Sequence, residues 1–146
     1  MMDVRASFVT LRVRATGDLR GCIGESKPRS PLVQSIGRAS VSAATADPRF
    51  APVTFGELSS LTITISALGP LLPIEANEIE VGRHGLLITG ASGSALLLPH
   101  VPSAFGWDRE EFLARLCEKA GLAPDAWTAT PDPLLFGFEA DTWAED

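Results

Sequence analysis

The chain has 146 residues, 45% of them apolar and 21% charged, and carries a net charge of −6. That balance allows one sizeable core, excludes intrinsic disorder, and argues against generic nucleic-acid binding, which needs many cationic contacts to phosphates. No apolar run approaches the roughly 20 residues that span a bilayer, and the start "MMDVRASFVT" lacks a signal-peptide apolar region, so a soluble cytoplasmic protein with no membrane partner is expected.

"SFVTLRVR", residues 7–14, sets Val9, Leu11 and Val13 against Thr10, Arg12 and Arg14, the alternation of a half-buried strand. "ATGDLR" reads as a turn at Gly17 and Asp18, and "LRGCIG" as the returning strand of a hairpin over residues 7–24. Ser30 as N-cap and Pro31 at the first helical position predict a helix with Leu32, Ile36, Ala39 and Ala43 on its apolar face, ended by Asp47-Pro48. "RFAPVTFGELSS" reads as a loop with one helical turn around Phe55 to Leu58, and "LTITISAL", residues 61–68, as the clearest strand. After the Pro-punctuated connector "GPLLPIEANE", "IEVGRHGLLITGASGSALLLPHVP" predicts a short strand, a Gly-His-Gly turn and a hairpin with strands near 86–90 and 94–99. "GWDREEFLARLCEKAGL" predicts a second helix, with Asp108 and Glu111 at its start, Phe112, Leu113, Leu116, Cys117 and Ala120 buried, and Gly121 just past its end. "PDAWTATPDP" reads as a loop, residues 134–140 as a closing strand, and "DTWAED" as an acidic tail. The sum is a single α+β domain over residues 1–146, with a mainly antiparallel sheet built from hairpins and flanked by two main helices.

Charge is unevenly spread: residues 1–50 hold eight Lys/Arg and four Asp/Glu, and residues 51–146 hold four and fourteen. The basic part contains "DLRGCIGES", in which Gly21 and Gly24 stand around Cys22, and glycine in a strand marks a bulge or a close backbone approach. One reading makes this stretch the floor of a bound group: Arg20 favours a Cys22 thiolate, the glycines leave open space, and the helix starting near Pro31 points its positive end inward. The other makes it a strand that a helix crosses closely, with the glycines making room. Glu25 is a candidate base, but three residues from Cys22 on a regular strand it points to the opposite face. His84, in "GRHGL", and His100, after "LLLP", are either solvated or line a cleft. Cys117 reads as a core residue. Two cysteines make no disulfide framework, and no pair among Cys22, Cys117, His84 and His100 has zinc spacing, so neither metal nor cofactor is expected.

Taken together, "FVTLRV…GDLRGCIGE", "AATADPRFAPVTFGEL", "LTITISAL", "VGRHGLLI", "LLLPHV" and "GWDREEFLARLCEKAGL" resemble the AMMECR1 domain family, whose bacterial and archaeal members are called AmmeMemoRadiSam system protein A. The resemblance runs from about Ser7 to Trp143. It implies an α+β unit with a larger and a smaller subdomain, the L-R-G-C-I-G segment at a cleft, and a modification pathway shared with Memo-like and radical S-adenosylmethionine proteins as partners. It implies no settled activity. The family motifs fall on Leu19, Arg20, Gly21, Cys22, Ile23 and Gly24, then Asp47, Pro48, Arg49 and Phe50, then Gly82, Arg83, His84 and Gly85. Glu25-Ser26 stands where the family usually has Thr-Phe, Ala95 and His100 also depart from its pattern, and the amphipathic helix usual before the first strand has no counterpart ahead of Ser7.

Three functions are consistent with these residues. In the leading one, an enzyme or enzyme subunit, Cys22 is nucleophile or ligand, Arg20 orients an anionic group, and His84 or His100 transfers the proton. Leu19, Gly21, Ile23, Gly24, Arg49 and Arg83 would line the substrate. The second is a non-catalytic module that docks a protein or peptide in the same cleft, favoured by the lack of a strong base beside Cys22. The third is an RNA-modification accessory, suggested by the basic N-terminal part and opposed by the net charge. Substrate and oligomeric state stay open.

Overall fold

Strands β1 (Ser7–Val13) and β2 (Leu19–Gly24) form the expected hairpin, with Thr10 opposite Cys22 and Val9 opposite Ile23. In this computed structural model, which describes residues 3–129 and 132–145, the chain divides into two units, Met1–Gly69 with Asp141–Asp146, and Pro70–Ala140. Each is an antiparallel sheet with helices, and the architecture is α+β.

In the first unit, β3 (Leu61–Leu68) pairs with β1, and β8 (Ala140–Ala144) completes the order β2-β1-β3-β8. Helix α1 (Leu32–Thr45) covers one face, where Val9, Leu11, Ala39 and Ala43 form the core with Ile23, Ile63 and Ile65 against it. Small residues on α1 permit this close approach. The helix starts one residue later than expected, with Pro31 as its N-cap, because Pro31 first makes a bridge with Val4. Ser30, expected as the cap, instead accepts a hydrogen bond from Arg38 through its Oγ. A 3-10 turn at Phe55–Ser60 occupies the expected helical turn.

In the second unit the sheet order is β4 (Leu72–Pro73), β7 (Leu134–Phe138), β5 (Gly85–Gly90), β6 (Gly93–Leu97). Helix α3 (Arg109–Lys119) packs Phe112, Leu113, Leu116 and Cys117 onto Leu86 and Ile88. Its expected ends hold: the Asp108 carboxylate accepts the Glu111 N–H at 2.8 Å, and Gly121 has φ +79°. Burial pushes the Cys117 thiol up, as befits an inert core residue.

Several expected elements differ. Residues 79–81 are not a strand; Ile79 is a buried anchor that follows a 3-10 turn at Ala76–Glu78. The hairpin's second strand stops at Leu97, and residues 100–105 form helix α2 (His100–Phe105), because Pro99 adopts helical angles and Pro102 sits within the first turn, where a missing N–H costs nothing. The tail contributes β8 instead of continuing as a loop. Residues 130 and 131 of the expected 124–133 loop, Met1 and Met2 of the N-terminal stretch, and Asp146 of the tail lie outside the described residues.

Candidate functional site

The L-R-G-C-I-G strand is held from three sides within the first unit. Leu11 pairs with Gly21 and Arg12 with Leu19, so Arg20 is the extra residue of a bulge, which re-aims its side chain. Its guanidinium meets both Glu57 oxygens, Nε to Oε2 at 2.9 Å and Nη2 to Oε1 at 3.1 Å, and donates to the Ala51 carbonyl at 2.9 Å. Arg20 therefore clamps the 51–57 loop onto β2.

That clamp makes an acid-sensitive element. Hydrogen bonds from Arg20, and then the Thr54 N–H, hold the Glu57 carboxyl down to about 2, from an ordinary 4.5. A carboxyl lowered on folding contributes its full stability above 4.5 and loses it as pH falls toward 2. Urea unfolding repeated down this range is expected to show the wild-type chain losing stability, and Glu57→Gln, which has no proton to take up, losing less.

The expectation that Gly21 and Gly24 leave room for a bound group is corrected by their surroundings. A Cβ on Gly21 would stand 2.2 Å from the Ala43 carbonyl oxygen of α1, and one on Gly24 would stand 2.3 Å from the Phe8 ring and 2.4 Å from the Ser7 carbonyl oxygen. The space beside both glycines is filled by the protein itself. Leu19 is half-buried in the pairing with Arg12, and Ile23 packs toward α1.

Cys22 is partly exposed. Its Sγ lies 3.3 Å from the Thr10 Oγ1, its N–H donates to Asp47 Oδ2 at 3.0 Å, and its carbonyl accepts from Arg49 Nη2 at 3.5 Å. Asp47 is buried, and its carboxylate takes Arg49 Nε at 3.0 Å and Nη2 at 2.7 Å. The Arg49 hydrogen bonds hold the Asp47 carboxyl far below the usual range against the opposing effect of burial, with the Cys22 and Arg49 N–H groups adding to them. The motif D-P-R-F thus fastens both ends of the Cys22 peptide. Among the described residues no His, Asp, Glu or Lys side chain bonds to the sulfur.

Glu25 is engaged elsewhere. It accepts Arg29 Nε at 2.7 Å, Arg38 Nη2 at 2.8 Å and Ser35 Oγ at 2.8 Å. Since Ser35 gives its one proton to this carboxylate, the Ser7 hydroxyl, 2.7 Å away, must donate to Ser35. Burial pushes the Glu25 carboxyl up, but Arg29, Ser35 and Arg38 together outweigh it and keep it below the ordinary range. No sequence pattern identified Ser35, although it falls four residues before Ala39 on the buried face of α1.

Arg83, His84 and His100 belong to the second unit. His100 is the exposed first residue of α2. Arg83 and His84 line a cleft of about 310 Å³ within this unit, whose apolar lining includes Leu72, Pro73, Ile74 and Phe138. His84 Nδ1 accepts the Glu80 N–H at 3.0 Å, which leaves the ring proton on Nε2. Arg83 bridges Glu80 and Glu139, the latter at 3.1 Å through Nε. Sequence reading found Arg83 and His84 through the G-R-H-G motif but missed Leu72, Glu80 and Glu139, the two glutamates being joined through Arg83. It also missed Thr10, although the hairpin register alone places Thr10 opposite Cys22. Among the described residues no group of three or more His, Cys, Asp or Glu is arranged to hold a metal ion, and no helix is long and apolar enough to cross a membrane.

The family profile for AMMECR1 matches residues 1–143. Protein MJ0810 of Methanocaldococcus jannaschii is 44% identical over 150 residues, covering 98% of this chain and 74% of its own length. A protein of Thermococcus gammatolerans is 47% identical over 148 residues, covering 95% of this chain and 72% of its own. The crystal structure of the uncharacterized protein PH0010 from Pyrococcus horikoshii matches with a TM-score of 0.93 at 41% identity, over 99% of this chain and 75% of that one. Motifs, profile and fold agree, and the chain belongs to the AMMECR1 family.

Proposed function

We propose that the chain is a non-catalytic binding module whose ligand cleft is the one in the second unit that carries Arg83 and His84. One observation carries this reading: the room beside Gly21 and Gly24 is occupied by Ala43, Phe8 and Ser7, whereas the G-R-H-G motif opens onto about 310 Å³ of unfilled space. That volume lies at the lower end of the range for small-ligand sites, and an apolar wall with a few convergent polar groups is their usual lining. A pathway with Memo-like and radical S-adenosylmethionine proteins, as the resemblance implies, would then rely on this chain for ligand capture and leave bond-making to its partners.

A second reading keeps Cys22 as a reactive thiol. The residue is partly exposed, its Sγ lies beside the Thr10 hydroxyl, and the Arg49 guanidinium, held as a cation first by Asp47, lies against the Cys22 carbonyl. Screening a fragment library against the isotope-labelled full chain by amide NMR separates the two. Perturbed signals are expected at Leu72, Arg83, His84 and Glu139, unchanged in Cys22→Ala. Perturbations centred on Thr10, Cys22 and Arg49 that vanish in Cys22→Ala would replace the first reading by the second.

A further inference from the structure

We infer that the cleft of the second unit takes a cationic ligand: an alkylammonium or alkylguanidinium group whose carbon chain lies along the Leu72–Pro73 wall. The inference rests on the reading of this cleft as the ligand site and supplies its chemical class.

Three carboxylates, Glu78, Glu80 and Glu139, line the cleft against one guanidinium, Arg83. Arg83 uses only one oxygen of each bridged partner, Oε2 of Glu80 and Oε1 of Glu139. Oε1 of Glu80 and Oε2 of Glu139 have no protein hydrogen-bond partner among the described residues. Glu78 gives one oxygen to the Glu75 N–H at 2.8 Å and keeps the other. These oxygens are acceptors and cannot donate, so the unused polar capacity of the cleft suits a ligand rich in N–H groups. An anion would meet an excess of negative charge, and Arg83 is already bridged twice.

The surrounding charge acts in the same direction. Residues 70–140 hold ten Asp/Glu and four Lys/Arg, so the whole net charge of −6 belongs to this unit, while the rest of the chain balances eight against eight. A field of that sign draws cations from a distance. The apolar wall then selects among them: Leu72 is 61% exposed and, with Pro73 and Ile74, offers a surface that an alkyl stem would cover while its charged head reaches the carboxylates.

The experiment compares matched probes on the full chain by amide NMR titration at low salt: n-butylammonium, n-butylguanidinium, n-butanol and n-butanoate, with N-acetyl-Leu-Lys-Leu-amide and spermidine as two natural forms of the same charge. The two butyl cations are expected to shift the signals of Leu72, Arg83, His84 and Glu139, and the alcohol and the anion to shift them far less. Exposed charge pairs are individually weak, so Glu80→Gln and Glu139→Gln should each weaken butylammonium binding about three- to fivefold. Raising the salt to about 0.5 M should weaken it further. A tighter peptide points to a basic chain segment as the natural source, and a tighter spermidine points to a free polyamine. If n-butanoate or n-butanol binds this cleft as well as n-butylammonium does, the cationic class is wrong and the cleft remains the ligand site. If no probe of any charge moves these signals, while the fragment screen also finds nothing there, both readings fall.

Discussion

Gly21→Ala is expected to lower the unfolding free energy by about 3 kcal/mol, the upper range for overpacking, because the obstacle is backbone. The new methyl would lie 2.2 Å from the Ala43 carbonyl oxygen and 3.1 Å from the carbon that bears it, so either α1 or β2 must move. A flexible side chain could have turned aside at little cost; a helix carbonyl within the buried core cannot. Gly37→Ala on the same helix is the control. Nothing lies within 4 Å of a Cβ at Gly37, so removing a helix-interior glycine should raise stability by about 0.5–1 kcal/mol. Urea unfolding of both variants checks the pair, with midpoints moving in opposite directions. A Gly21→Ala midpoint equal to that of the wild-type chain would show that the contact between α1 and β2 is not as close as described.

Asp47→Ala is expected to cost about 2–3 kcal/mol, below the 3–5 kcal/mol for breaking a fully buried pair, because Arg49 is half-exposed and water replaces part of what it loses. The Asp47 carboxylate is 2% exposed and serves four donors: Arg49 Nε and Nη2 and the N–H groups of Cys22 and Arg49. Alanine leaves the Cys22 N–H without this acceptor and releases the Arg49 side chain. Asp47→Asn, which keeps an acceptor oxygen at the same place, should cost less than Asp47→Ala. Thermal melts near neutral pH order the variants. If Asp47→Ala is as mild as an ordinary surface change, of about 0.5 kcal/mol, the D-P-R-F segment does not fasten Cys22.

Local pattern was a good guide wherever one face of an element meets a core. The β1–β2 hairpin, β3 and α3 were all readable because apolar residues recur at period two or at helical spacing, and because turns and caps occur where backbone geometry requires them. The misses have a common cause. β8 was read as tail because an edge strand whose residues are mostly exposed carries no apolar alternation. The stretch "IEV" reads as a short strand, yet the one buried anchor there, Ile79, makes no ladder. His100 reads as following a strand end because it comes directly after "LLLP", although proline suits the opening of a helix.

Site chemistry was legible in residue type and largely hidden in partnership. Arg20 was noticed for its proximity to Cys22 in sequence, but its partner, Glu57, lies 37 positions away. The glycines were recognised as unusual; whether their space was filled depended on which atoms the fold brings there, and Ala43 is distant in sequence. The cleft glutamates had no motif to announce them, since Glu80 and Glu139 share only the guanidinium of Arg83.

The same two devices occur in both units. Phe138 lies over Gly85 as Phe8 lies over Gly24, and the Ala120 carbonyl oxygen approaches Gly93 as that of Ala43 approaches Gly21. In a living cell, therefore, a lesion at any of these four glycines would deplete the protein before touching its ligand. A genetic screen that scores growth alone would file all four as functional positions. Normalising each phenotype to the amount of intact protein separates them from Glu80 and Glu139, whose replacement should leave abundance as it was.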